Sequence, residues 1–155
     1  MEIDIPGYGR LQLEHVVMDY NGTLAIDGRL IDGVKDALNR LANHMNLHVI
    51  TADTFGLAAE GLRGVNCRLR ILTGNNHTRE KREFVGSLGE EKTVSIGNGR
   101  NDREMLHASA LGIAVILGEG AAVETVVSAD IVCPSILSAI GLLENPMRLK
   151  ATLRS

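Results

Sequence analysis

Short apolar runs alternate with segments of helical period along the whole chain. Six runs read as strands: His15 to Asp19, Leu47 to Thr51, Cys67 to Thr73, Thr93 to Gly97, Leu111 to Ile116 and Asp130 to Pro134. Five helical patterns lie between them, at Gly33 to Met45, Phe55 to Arg63, Arg79 to Leu88, Asp102 to Ala110 and Ala121 to Val127. In the first of these, Val34, Leu38, Leu41 and Met45 fall on one stripe that a helix would bury. Repeated strand-helix units predict a parallel sheet with right-handed crossovers and helices on both faces, a Rossmann-like three-layer α/β sandwich. The segment Leu24 to Ile31 breaks the pattern: Ile26-Asp27-Gly28-Arg29 carries a turn signal between apolar pairs and predicts a small β-hairpin flap beside Asp19. From Ser135 a helix begins with Ile136, Ile140 and Leu143, then passes Asn145-Pro146 into a basic tail bearing Arg148, Lys150 and Arg154. With no repeat, low-complexity tract or linker, residues 1–155 read as one domain, its core at about 14–143 and its tail at 144–155.

Composition fits that outline. A chain of 155 residues buries roughly two thirds of its unfolded surface and folds without a disulfide or structural metal. Two Phe, two Tyr and no Trp leave Val, Ile, Leu, Ala and Met to build the core. Sixteen basic against nineteen acidic residues give a net charge of −3, which argues against nucleic acid or an anionic membrane as partner. Cys67 and Cys133 have no zinc-type spacing and read as core residues of a reducing compartment. Met1 to Pro6 is no signal peptide, and no apolar run reaches the ~18 residues of a membrane span. A cytoplasmic protein is expected.

The candidate chemistry sits at strand ends. Asp19 closes the run Val16-Val17-Met18 and is followed by Tyr20-Asn21-Gly22-Thr23. In open α/β sheets ligands bind beyond the carboxyl ends of the strands, so Asp19 is placed to attack a phosphoryl group and form an aspartyl phosphate. The backbone amides after it, from Tyr20 and Asn21, can hold phosphoryl oxygens in a turn. Thr51 ends the next strand, where its hydroxyl could donate to the same group, with Ala52-Asp53 expected to open a helix with backbone donors exposed. Lys81, in the helix opening at His77-Thr78-Arg79-Glu80, would offset charge on nucleophile and substrate, but Arg79 and Arg82 are equally spaced for that task. Gly97-Asn98-Gly99-Arg100-Asn101-Asp102 follows a fourth strand and offers the oxygens of Asn98 and Asp102 to Mg2+, which Asp19 and the Asn21 carbonyl would help to ligate.

Each piece alone has a plainer reading: Asp19 as a helix cap or turn former, Thr51 as a β-former, Lys81 as a solvated helix lysine, the Gly-Asn-Gly loop as a tight turn. Their occurrence at four successive strand ends favours the functional reading. Other chemistries fit less well. His15, His44, His48 and His107 fall at strand starts or on helices away from Asp19, leaving only His77 nearby, and Ser135 lacks a G-x-S-x-G context. A two-component receiver domain would carry its phosphorylated Asp after the third strand, where this chain has Thr73-Gly74-Asn75.

As an ordered set these residues resemble the motifs of the haloacid dehalogenase (HAD) superfamily, and within it the soluble proteins similar to the phosphorylation domain of P-type ATPases. Asp19-Tyr20-Asn21-Gly22-Thr23 resembles D-x-x-G-T, Thr51-Ala52-Asp53 resembles T-G-D, Lys81 before Phe84-Val85 is placed like the third-motif lysine, and Gly97 to Asp102 resembles G-D-G-x-N-D. The resemblance implies a HAD-like fold and a Mg2+-dependent phosphatase acting on a small phosphate ester or a phosphorylated macromolecule. It also implies a protein without a cap domain, because the spacings from Asp19 to Thr51 and from Thr51 to Lys81 leave no room for one, and it points to a homo-oligomer. Two departures matter. Asn21 stands where the phosphatases carry an acid-base Asp, an assistance worth roughly 10²- to 10⁴-fold, so turnover should be slow; Asn98 stands where they carry a metal-binding Asp, so Mg2+ should bind more weakly. The alternative is a catalytically weak or inactive HAD scaffold serving as a regulatory or binding protein.

Overall fold

In the computed structural model, which describes residues 1–53 and 56–155, the N-terminal segment folds first into an antiparallel pair, β1 (Glu2–Ile5) and β2 (Gly9–Gln12). The six apolar runs then form one sheet from β3 (His15–Met18), β6 (Asn46–Thr51), β7 (Arg68–Ile71), β8 (Thr93–Gly97), β9 (Leu111–Val115) and β10 (Ile131–Cys133). Their spatial order is β10-β9-β8-β3-β6-β7, and every neighbouring pair is parallel. The chain therefore leaves β3 outward through β6 and β7, then returns to the other side of β3 and runs outward again. The order reverses between β3 and β8, and the crevice beyond those two strand tips is where an open α/β sheet takes its ligand.

Helices cover both faces, as the alternating pattern predicts. One face carries α1 (Val34–Leu41), α2 (Leu57–Gly61), α6 (Ile136–Glu144) and α7 (Pro146–Leu153), whose Leu38, Ala58, Ile140 and Leu149 join Val16, Met18, Val94 and Ile113 of the sheet in the larger core. The other carries α3 (His77–Leu88) and α4 (Arg103–Ala108), whose Val85, Met105 and Leu106 pack on Val17, Ile50 and Ala114. The last crossover holds the short α5 (Val123–Val127). Side chains alternate along a strand, so in β3 Val16 and Met18 face the larger core and Val17 the smaller. Extending that alternation one step past the strand aims Asp19 toward α3 and Tyr20 toward α2.

Several boundaries shift from the sequence reading. The stripe Val34, Leu38, Leu41 and Met45 is buried throughout, but α1 ends at Leu41, where the N–H groups of Asn43 and His44 turn back on the carbonyls of Arg40 and Leu41. The helix expected from Asp102 begins as a 3-10 turn over Arg100–Asp102. Of the pattern Phe55 to Arg63, Phe55 lies outside the described residues and the remainder yields α2. The flap forms as β4 (Ala25–Ile26) and β5 (Arg29–Leu30), joined through Asp27 and Gly28, both at positive φ (51° and 76°), the geometry of a two-residue hairpin turn. The basic tail is a helix, because Pro146 begins α7 and the fully buried Leu149 anchors it in the core, while Arg148, Lys150 and Arg154 face outward. Among the described residues no helix is long and apolar enough to cross a membrane.

Candidate active site

The elements converge on one buried ion cluster at the β3–β8 crevice. Lys81, only 1% exposed, donates to Asp19 Oδ1 at 2.7 Å and to Asp102 Oδ1 at 2.6 Å. The neighbouring cations are engaged elsewhere: Arg79 pairs with Glu83 at 2.6 Å and Arg82 with Glu90 at 3.1 Å, all exposed. Of the three cations, Lys81 is the one that meets Asp19. It reaches inward because it shares the buried face of α3 with Val85, one turn on, which packs against the sheet, while Asn76 caps the helix, its side chain accepting the Arg79 N–H at 3.1 Å.

Asp102 is fully engaged. Its second oxygen, Oδ2, accepts the Asn98 N–H at 3.0 Å and the Gly99 N–H at 2.8 Å, so one carboxylate both shapes the loop after β8 and holds the ammonium. A side chain at Gly97 would collide with that carboxylate. Asn98 is 7% exposed, its Oδ1 accepting the Thr23 hydroxyl at 3.1 Å and its Nδ2 donating to the Gly120 carbonyl at 3.0 Å. Gly22, at φ 76°, leaves the space that the Asn98 amide occupies. Asn21 is exposed beside Asp19, with its backbone bridged to Ala25.

Thr51 sits buried at the tip of the adjacent strand, accepting the Asp53 N–H at 3.3 Å. Ala52 and Asp53 do not open a helix as expected. Asp53 adopts positive φ (33°), and its carboxylate accepts the Ala58 N–H at 2.9 Å and the Ala59 N–H at 3.4 Å, so these donors of α2 are capped by protein. The reason is local: a carboxylate turned back on the first turn of α2 is better satisfied than one continuing the helix. His77 lies at the start of α3, and the remaining four histidines lie outside the cluster.

Two carboxylates share one ammonium, and the electrostatics register the imbalance. Burial pushes the Asp19 carboxyl up to about 7, the Asp102 charge adds to the rise, and the Lys81 ammonium and the Tyr20 N–H only partly oppose it. Burial alone would lower Lys81, but the charges and hydrogen bonds of Asp19 and Asp102 outweigh it and hold the ammonium well above its usual range. Among the described residues no three His, Cys, Asp or Glu side chains cluster to hold a metal ion. The oxygens gathered around Lys81 are those of two carboxylates, Asp19 and Asp102. Hard oxygen donors around an excess negative charge suit a cation such as Mg2+.

Two side-chain roles escaped the sequence reading. The Thr23 hydroxyl orients Asn98, although its place in the run after Asp19 was the only signal. Tyr20, completely buried, donates its hydroxyl toward the Gly28 carbonyl of the flap turn at 3.2 Å and the Leu57 carbonyl of α2 at 3.3 Å. It ties both elements to the residue next to Asp19.

No family model matches the chain. An uncharacterized protein of Methanocaldococcus jannaschii is 50% identical over 64 residues, covering 41% of this chain and 69% of that protein. A second from the same organism is 38% identical over 39 residues, covering 25% of this chain and 89% of the other. Among solved structures, the 3-deoxy-D-manno-octulosonate 8-phosphate phosphatase of Moraxella catarrhalis, in complex with magnesium ion, phosphate ion and KDO, is similar at TM-score 0.66 and 17% identity over 92% of this chain and 94% of that one. The cobalt-bound deoxy-D-mannose-octulosonate 8-phosphate phosphatase of Haemophilus influenzae is similar at TM-score 0.72 and 12% identity over 93% and 94%. A haloacid dehalogenase-like hydrolase of Bacteroides thetaiotaomicron aligns at TM-score 0.61 and 12% identity over 84% and 99%. The fold is the HAD-like Rossmann-type α/β fold. By sequence, the chain belongs to one family with the two archaeal proteins.

Proposed function

Starting from the HAD-like fold, we propose that the protein is a slow, Mg2+-dependent phosphatase that works through an aspartyl phosphate on Asp19. The observation that carries this reading is the buried Lys81 ammonium between Asp19 and Asp102 at the point where the strand order reverses. Phosphatases among the similar folds, one of them holding magnesium and phosphate, support the reaction class.

In this account an Asp19 oxygen attacks the phosphorus of the ester, the bond to the leaving oxygen breaks, and the phosphoryl group moves to the carboxylate. Thr51 and the backbone amides of Tyr20, Asn21 and Ala52 bind the phosphoryl oxygens, and Lys81 offsets their charge. Asp19, the Asn21 carbonyl, Asn98 and Asp102 would hold Mg2+, which when bound would supply further positive charge to the group in transfer. Asn21 cannot protonate the departing alkoxide, which takes its proton from solvent. Nor can it activate the water that later hydrolyses the aspartyl phosphate to inorganic phosphate and restores Asp19. Both halves are therefore slow, and esters with good leaving groups react best.

The substrate is a small phosphate ester or an exposed phosphoryl group on a macromolecule. The same reading takes residues 1–155 as one capless domain, similar to the soluble P-type ATPase-like subgroup, acting as a homo-oligomer in the cytoplasm. Hydrolysis of an aryl phosphate tests the proposal: activity should require Mg2+ and vanish in Asp19→Asn, while Mg2+-dependent turnover retained by that variant would refute it. One observation favours a second reading, a binding or regulatory scaffold: neither Asn21 nor Asn98 supplies the carboxylate that fast turnover calls for. That reading predicts no Mg2+-dependent hydrolysis across a broad panel of phosphate esters, together with a defined protein partner.

A further inference from the structure

A second cluster of charge lies on the α3 face of the sheet, at its β7 edge. Arg68 and Arg70 alternate with Leu69 along β7, so both project to the same face. There they border a cavity of about 480 Å3 together with His48, Phe84 and Leu88. The Arg70 guanidinium lies over the Phe84 ring at 5.1 Å, and His48 meets the same ring edge-on at 5.5 Å between centroids. His48 is 2% exposed and shares a hydrogen bond with His15, Nε2 to Nδ1 at 3.1 Å.

The charges in this groove do not balance. Among the described residues neither Arg68 nor Arg70 has a carboxylate within ion-pair distance, unlike Arg10, Arg40, Arg79, Arg82, Arg100 and Arg103. Two of the acidic groups nearby are committed elsewhere, Glu83 of α3 to Arg79 and Glu14 beside His15 to Lys92 at 3.2 Å, while Glu80, which accepts the Gly74 N–H at 3.4 Å, lines with Arg70 an adjoining hollow without forming an ion pair to it. His48 feels the excess: burial, then His15 and Arg68, push its imidazole down to about 4. Charged residues on an edge strand commonly deter pairing with other chains, but that role needs neither a stacked guanidinium nor a buried histidine pair beneath it. The opposite edge strand, β10, reads Ile131-Val132-Cys133 and carries no charge at all.

We propose that this groove binds a small oxyanion, a phosphate or carboxylate group held between the Arg68 and Arg70 guanidinium groups with His48 at its floor, apart from the Asp19 cluster. Two guanidinium forks without partners present the donor geometry that planar or tetrahedral oxyanions accept, and both arginines are exposed enough to be reached. Phe84 lies three residues beyond Lys81 on α3, so the occupant would rest against the helix that supplies the buried ammonium.

The test is NMR on the whole protein at pH 7, titrated separately with inorganic phosphate and with citrate against sodium chloride of equal ionic strength. Saturable shifts of the His48 imidazole and the β7 amides are expected with at least one of the two anions, and which one distinguishes a phosphate-binding from a carboxylate-binding groove. Arg68→Gln with Arg70→Gln should weaken that binding by about tenfold or more, whereas Asp19→Asn should leave it in place. The bound anion should also raise the His48 titration midpoint by roughly one pH unit. Shifts that chloride reproduces, that survive the double substitution, that disappear in Asp19→Asn, or that fail to arise with either anion would overturn the proposal. None of these readouts depends on phosphatase activity.

Discussion

Replacing Lys81 with Met removes the one charge that two buried carboxylates share while keeping most of the side-chain volume. In the native site the ammonium is 1% exposed and lies 2.7 Å from Asp19 and 2.6 Å from Asp102, so its loss leaves two buried carboxylates without their shared cation. Removing one partner from a buried ion pair costs about 3–5 kcal/mol, and a domain of this size loses roughly 2–4 °C of Tm per kcal/mol, so the melting temperature should fall by about 6–20 °C. The loss should depend on pH. Asp19 titrates at about 7 in the folded protein against 3.8 in its ordinary state, so the stability tied to its protonation is complete below about 4 and is lost as pH rises through 7. Without Lys81 the carboxyl moves higher still, and the penalty grows from pH 5 toward pH 9. Lys81, held above its usual range, stays charged across that window in the parent protein. Urea unfolding of parent and variant at pH 5, 7 and 9 reads the effect directly. Added Mg2+ should stabilise the variant more than the parent, since the uncompensated charge is larger. Equal stability at pH 9, or a loss that does not change with pH, would refute this reasoning.

Three further outcomes follow from the same geometry. Asn21→Asp should raise the hydrolysis rate by on the order of 10²-fold for an ester with a poor leaving group, read from initial rates with Mg2+; a fall would show that the exposed amide has another task. Asn98→Asp should tighten Mg2+ binding by roughly tenfold in calorimetry and lower metal-free stability above pH 7, because the new carboxylate faces the Gly120 carbonyl and adds charge beside Asp102. Gly61→Ala should cost about 1–3 kcal/mol, since a methyl there overlaps the Tyr20 hydroxyl; adding Tyr20→Phe should recover part of that loss, and strict additivity in denaturation would show that the two do not interact.

The central strands were legible because burial on both faces writes a parallel strand as a continuous apolar run, and Val16 to Met18 and Leu111 to Val115 are such runs. The motif residues were legible in order, since strand tips bring Asp19, Thr51 and the loop after β8 to one edge without any knowledge of side-chain contacts. Four features were not. Lys81 could not be told from Arg79 and Arg82 by spacing alone, because which face of α3 meets the sheet is set by packing, here the burial of Val85 one turn on from Lys81. Ala52 and Asp53 misled because an Asp that caps from before the helix has the same sequence signature as one that opens it. The N-terminal hairpin and α7 bury Ile3, Ile5, Leu11 and Leu149, yet segments with so few apolar positions carry little periodicity. Tyr20 offered no signal, as its partners are the backbone carbonyls of Gly28 and Leu57.

The central claim is that a phosphoryl group resides on Asp19 during turnover. Acid-quenching the protein with an aryl phosphate and Mg2+, followed by peptide mass spectrometry, should find the phosphoryl adduct on the peptide containing Asp19, accumulating because Asn21 cannot speed its hydrolysis. Sustained turnover with no adduct, or with the adduct on any other residue, would contradict the account.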